Sequence, residues 1–135
     1  MGDQRDVKLI IKIEWADLDL FGHVNNVAFF RYMQSARIAF CEGIGLSSMH
    51  ENQTSFMVAS SHCDFKKPLR YPGDILVQSN VLWVKNTSFK LGHAIINGSG
   101  EISALGEDVL VVFDHLNKVK LPITDSLRES ISSYS

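Results

Sequence analysis

What this chain has little of narrows its class before any motif is read. Only two of its 135 residues are cysteine, Cys41 and Cys63. That is too few to staple a secreted domain, so both read as buried free thiols. They form no Cys-x-x-Cys pair, and His50, His62, His93 and His115 show no His-Glu-x-x-His spacing, so no metal site is expected. There is no Gly-x-Ser-x-Gly elbow, which disfavours a serine hydrolase. A dinucleotide fingerprint and a P-loop are missing too. No apolar run approaches the ~20 residues that span a bilayer. Charge of one sign is also lacking: 13 Lys and Arg stand against 15 Asp and Glu, a net of -2, which argues against a nucleic-acid surface. The opening Met1-Gly2-Asp3-Gln4-Arg5-Asp6 is polar and acidic, unlike a signal peptide, and has Asp6 where myristoylation wants Ser or Thr. A cytoplasmic protein is expected. No repeat, low-complexity tract or linker divides residues 1–135, a length suited to one domain with a single two-layer core.

What is present is clear periodicity. Val7, Leu9, Ile11, Ile13 and Trp15 alternate with Lys8, Ile10, Lys12 and Glu14, the pattern of a half-buried strand. From Asn25 to Glu42 the period changes. Val27, Phe29, Phe30, Tyr32, Met33, Ala36, Ile38, Ala39 and Phe40 cover most of a helix and leave only a narrow polar stripe at Arg31, Gln34, Ser35 and Glu42. Such a helix is expected to be buried on most sides, with Gly43 as its left-handed cap. Leu46 to Asn52 suggests a further short turn. Strands are expected over Phe56 to Leu69 and Asp74 to Lys85, divided at Pro72-Gly73. Two more, Ser88 to Ile96 and Glu101 to Phe113, meet across Asn97-Gly98, a tight-hairpin signal. Ile123 to Tyr134 reads as a short helix capped at Thr124 or Asp125, with Ser126-x-x-Glu129 box-like and the last residues, Ser132 to Ser135, fraying. One strand, one apolar helix and a run of antiparallel strands is an α+β order.

The most informative segment is Asp17-Leu18-Asp19-Leu20-Phe21-Gly22-His23-Val24-Asn25-Asn26. It sets two carboxylates and a glycine turn just ahead of a helix N-terminus, whose first N–H groups lack internal partners and carry the positive end of the dipole. A carboxylate beside such donors can act on a carbonyl whose developing oxyanion they stabilise. Acyl transfer or hydrolysis suits that arrangement. The same residue types are also ordinary caps and turn formers.

The whole string, after a short strand and before an aromatic-rich helix, resembles the 4-hydroxybenzoyl-CoA thioesterase family of the hotdog fold. Val58 to Asp74 with its Tyr71-Pro72-Gly73-Asp74 turn, Thr87-Ser88-Phe89, and Val109 to Phe113 resemble that family's later strands, so the likeness spans residues 6 to 125. It implies an α+β hotdog domain with a five-stranded antiparallel sheet wrapped around a long helix. It further implies hydrolysis of an acyl thioester to carboxylate and thiol, with coenzyme A entering only as part of the substrate and no bound cofactor. Asp19 takes the position of the catalytic carboxylate, as nucleophile or general base. Asn26 takes that of the polarising backbone amide, with Asn25 beside it at the substrate. Gly22 supplies the turn geometry, and His23 is expected to act as a hydrogen-bonded orienter, with direct proton transfer as the alternative. Asp17 is expected to organise the turn.

Lys85, just before Asn86-Thr87-Ser88, lies where related proteins place basic residues near the nucleotide of coenzyme A. Lys66, Lys67 and Arg70, or Lys118 and Lys120, are alternative patches. Phe29, Phe30, Tyr32 and Phe56 could line an acyl tunnel or fill the core, so the acyl group is left open. So is the choice between coenzyme A and acyl carrier protein. A non-catalytic binding domain is a rival against which Asp19 speaks, and a dehydratase lacks its usual His-based motif. A single sheet with exposed edges and a small core favours a homodimer or homotetramer.

Overall fold

The computed structural model describes residues 6–46 and 54–135, and its core is one antiparallel sheet laid against one long helix. Strand β1 is Val7–Lys12, helix α1 Asn26–Gly43, β2 Thr54–Phe65, β3 Asp74–Val84, β4 Ser88–Ile96 and β5 Ile102–Asp114. A two-residue β6, Val119–Lys120, and helix α2, Asp125–Ser132, complete the chain. The strand order is β1-β3-β4-β5-β2, with β6 paired to β5. This is the expected α+β hotdog arrangement, with β6 as a small addition.

Alternation decides which residues meet the helix. Val77 and Val81 on β3, Phe89, Leu91 and Ile95 on β4, and Ala104, Leu110 and Val112 on β5 are buried. Ala28, Phe29, Tyr32, Met33, Ala36, Phe40 and Cys41 supply the buried side of α1. Gly106 allows the close approach, since a Cβ there would lie 2.6 Å from the Met33 sulfur. Helix α1 is not buried on most sides within one chain. Val27 is 72% exposed, Ile38 41% and Phe30 38%, because a single sheet can cover only one flank.

Several local expectations change. Gly43 stays helical, and the left-handed residue is Gly45 with φ +78°. The Leu46 N–H donates to the Cys41 carbonyl and the Gly45 N–H to the Glu42 carbonyl, a Schellman ending that needs its positive φ two residues later. Ser47 to Asn52, most of the suggested following turn, lies outside the described residues. The β4–β5 hairpin is not a two-residue Asn-Gly turn. Asn97 takes the Ser99 and Glu101 N–H groups on its side chain, and Gly100 carries the positive φ of +82°. Trp15 leaves the strand for a 3₁₀ turn, Trp15–Asp17, and is exposed. Helix α2 is capped by Thr124, whose hydroxyl accepts the Leu127 N–H at 3.2 Å, so Ser126 and Glu129 form no box. Its end does not fray freely either. The Tyr134 carbonyl accepts the Val81 N–H at 2.9 Å, and the Tyr134 ring meets Phe40 edge-on at 5.1 Å.

Candidate active site

Between β1 and α1 the chain makes a compact loop. The Asp19 N–H donates to the His23 carbonyl at 2.7 Å and the Gly22 N–H to the Asp19 carbonyl at 3.2 Å. Gly22 stands at φ +82° with open space where a Cβ would be, so it is needed for its backbone conformation and not for a close approach. The Asp19 Oδ1 accepts the Phe21 N–H at 2.8 Å and the His23 N–H at 3.2 Å. Oδ2 accepts nothing among the described residues. One oxygen therefore fixes the carboxylate and the other is left unengaged. His23 contributes through its backbone; its imidazole makes no hydrogen bond among the described residues.

Asp17 is a carboxylate of another kind. It is 6% exposed. Its Oδ1 takes the Arg31 guanidinium, and its Oδ2 takes the Tyr32 hydroxyl at 2.8 Å and the Glu14 N–H at 2.9 Å. Its carbonyl accepts the Asn25 N–H at 2.8 Å. Every side contributes to pinning the loop onto the first two turns of α1. Burial raises the pKa of the Tyr32 hydroxyl, an effect that Arg31 partly offsets.

At the helix start, Asn25 is the N-cap. Its Oδ1 accepts the Val27 N–H at 3.1 Å and its carbonyl the Ala28 N–H at 2.9 Å. The Asn26 N–H is left with no acceptor among the described residues. The loop is tied to the chain entering β3 by the Val24 N–H on the Leu69 carbonyl at 2.9 Å and by a bridge between His23 and Arg70. Asp19, Gly22, His23, Asn25 and Asn26 are thus gathered in one place.

Lys85 is not among them. Its ammonium lies 4.4 Å from the centre of the Trp83 ring, and its carbonyl accepts from Arg128 at 2.9 Å. Strand β3 starts beside the Asp19 loop, where the Ile13 N–H meets the Gly73 carbonyl, and runs 11 residues to the Lys85 turn. At about 3.3 Å per residue that is roughly 36 Å. Within one chain Lys85 and Asp19 occupy opposite ends of the sheet. Among the described residues at the Asp19 end, Arg70 has no ion pair, and neither do Lys12 and Lys66, whereas Lys67 pairs with Glu101.

A second polar centre, unforeseen in the sequence, sits between α1 and the sheet. Asp108 is fully buried. Its Oδ1 accepts the Ser61 hydroxyl at 2.5 Å; its Oδ2 accepts Arg37 Nη1 at 3.1 Å and His93 Nε2 at 2.8 Å. The carboxylate fixes Nε2 as a protonated nitrogen, and His93 Nδ1 meets the buried Ser79 hydroxyl at 2.7 Å. Burial pushes the Asp108 pKa up, but the His93 and Ser61 hydrogen bonds and the His93 and Arg37 charges together bring it below the ordinary carboxylate value. The Cys41 thiol nearby is pushed up to about 12, chiefly by burial. A signal existed: Asp108 and His93 occupy inward positions of alternating strands, and Arg37 interrupts an apolar helix.

Comparison with known proteins places the chain in a class. Residues 13–131 match the family model of the thioesterase-like superfamily, and the chain belongs to that superfamily. It is 26% identical over 121 residues to the uncharacterized protein YsmA of Bacillus subtilis, covering 90% of this chain and 82% of that one. The crystal structure of the PA5185 protein of Pseudomonas aeruginosa superposes with a TM-score of 0.87 at 26% identity, covering 96% of this chain and 91% of that one. The DHNA-CoA thioesterase of Staphylococcus aureus shares the fold, with a TM-score of 0.83 at 18% identity and coverage of 96% and 88%. Among the described residues no helix is long and apolar enough to cross a membrane.

Proposed function

We propose that the protein is an acyl-CoA thioesterase in which Asp19 acts on the thioester carbonyl. The observation that carries this is that one loop holds Asp19 Oδ2 and, at the N-terminus of α1, the Asn26 N–H, neither with a hydrogen-bond partner among the described residues. As general base, Asp19 takes a proton from water as the water oxygen bonds to the carbonyl carbon. The oxyanion accepts from the Asn26 N–H, where the helix dipole also favours negative charge. The carbon–sulfur bond then breaks, the thiolate of coenzyme A takes a proton, and the carboxylate is released. As nucleophile, Asp19 bonds to the same carbon first, and water afterwards hydrolyses the anhydride. Support for coenzyme A as the carrier comes from relatives of the same fold that act on CoA thioesters, the DHNA-CoA and gentisyl-coenzyme A thioesterases.

The working unit is a homodimer. Strand β2 is one of the sheet's two edges, opposite the shorter β1; it is 12 residues long and mostly exposed, and α1 shows Val27, Phe30 and Ile38 as exposed apolar residues. A second copy pairing antiparallel along β2 satisfies that edge. Such pairing also brings the Lys85 end of one copy alongside the Asp19 end of the other, which would let Lys85 meet the nucleotide phosphates. A thiol-release assay over short, long and aromatic acyl-CoA substrates tests the reading. Release of free thiol, lost in Asp19→Asn, is expected; tight binding of acyl-CoA without release would overturn it.

A further inference from the structure

The open flank of α1 holds a polar group whose hydrogen bonding is unfinished. Arg37 Nε is buried and has no partner among the described residues, although Nη1 of the same side chain is held on Asp108. A buried donor without an acceptor is costly, and more so on a charged group. The guanidinium is also held firmly: Asp108 is fixed by His93 and Ser61, and Ser79 fixes His93. An arginine oriented through four side chains with a donor left over is built to receive an oxygen that the described residues do not supply.

Its position points to the source of that oxygen. Val27, Phe30, Gln34 and Arg37 follow one another at helical spacing, so they form one stripe along α1 that begins beside the Asn26 N–H. Facing them on β2 are Phe65, then Cys63, then Ser61, alternate residues of one strand face. Phe30 and Phe65 stack edge-on at 6.4 Å near the reactive end, and Arg37 and Ser61 meet at Asp108 at the other. A second copy along β2 would roof the flank between α1 and this strand and make a groove of it. From Asn26 to Arg37 such a groove would run roughly 16 Å along the helix at 1.5 Å per residue, and less at the guanidinium because helical side chains tilt toward the N-terminus.

Resting on the thioesterase reading above, we propose that Arg37 is a specificity-determining residue. It receives an acceptor oxygen (a hydroxyl or carboxylate) near the distal end of an extended aliphatic acyl chain lying in the groove between α1 and β2. The enzyme's preferred substrates are thus oxygenated medium- or long-chain acyl thioesters, in preference to plain ones.

The test compares ω-hydroxy and ω-carboxy acyl-CoAs with their unsubstituted counterparts at octanoyl, decanoyl and dodecanoyl length, using wild-type protein and Arg37→Lys. Lysine retains a cation for Asp108 but has no Nε, and a thermal melt checks that the variant folds. The expected result is a kcat/KM preference for the oxygenated acyl group at one chain length of roughly 10–100-fold, the scale of one hydrogen bond to a charged group. In Arg37→Lys that ratio should collapse to within a few-fold. Equal turnover of oxygenated and plain substrates by the wild type overturns this inference and leaves the thioesterase reading standing, as does a preference that survives in Arg37→Lys. No hydrolysis of any acyl-CoA overturns both. If Arg37→Lys sediments as a monomer where the wild type does not, the free donor serves the second copy, and the inference is again overturned.

Discussion

Asp19 and Asp108 are the same side chain in opposite surroundings. Asp19 sits in a partly exposed loop, with one oxygen tied to two backbone N–H groups and the other unbound. Asp108 is buried at the centre of the sheet, with both oxygens engaged by Ser61, Arg37 and His93. Between them stands Asp17, buried like Asp108 but serving the loop that carries Asp19. A carboxylate with every acceptor site filled stabilises a fold and has nothing left for a substrate. A carboxylate held by one oxygen beside an idle helix N–H has lost orientational freedom and kept its reactivity. Partner count, more than residue type or burial alone, separates the two roles.

The contrast can be broken by exchanging carboxylate for amide at each site. Asp19→Asn should lower kcat by about 10²–10⁴-fold, the worth of general base catalysis, with little change in the thermal melt. Steady-state thiol release together with calorimetry checks it. Near wild-type turnover would remove Asp19 from the chemistry.

Asp108→Asn should do the reverse. It leaves the buried Arg37 without its counter-charge, and breaking a buried pair in this way costs about 3–5 kcal/mol. Urea denaturation at neutral pH measures the loss. Acid sharpens the result. Because the folded pKa of Asp108 is lowered, its contribution is full above the ordinary aspartate value of about 3.9. It then fades as pH falls through the lower folded value. The stability gap between wild type and variant should therefore narrow only in that acidic window. A gap independent of pH would mean that packing, and not charge, holds the network.

Asn25 lies on the boundary between the two kinds of role. Asn25→Ala should cost about 0.5–2 kcal/mol as a lost N-cap. If Asn25 serves only as a cap, KM should barely move, so a large KM rise with unchanged stability would place its amide on the substrate. Lys85→Ala carries the smallest expected effect. An exposed ion contact is worth about 0.2–1 kcal/mol, so KM should rise a few-fold and the rise should shrink with salt. An acyl-pantetheine lacking the nucleotide should be insensitive to the change. Equal impairment on that truncated substrate would show Lys85 acting through the Trp83 hairpin.

Much of the loop was legible because its signals are local. Gly22 at positive φ, Asn25 as cap and Asp19 ahead of the helix are all set by residues within seven positions of one another. The Schellman ending at Gly45 and the Gly100 hairpin were each misplaced by two residues. In each case a neighbouring glycine offered the same freedom, and only the hydrogen-bond register selects between them. The Asp108 network escaped notice for a different reason. Its members lie 14 to 71 positions apart and converge only once β2, β4 and β5 are aligned.

The sequence by itself determined the α+β order, the strand that precedes the motif, the long helix that follows it, and the carboxylate and amide in the turn between them. Period, caps and turn residues are short-range physics and leave their mark on neighbouring letters. Tertiary structure alone decided that Lys85 stands at the far end of the sheet from Asp19, that β2 is left as an open edge, and that Arg37 is held by Asp108 with a donor to spare. Those outcomes depend on strand order and register, which arise from contacts between distant segments and cannot be read from the period of any one of them.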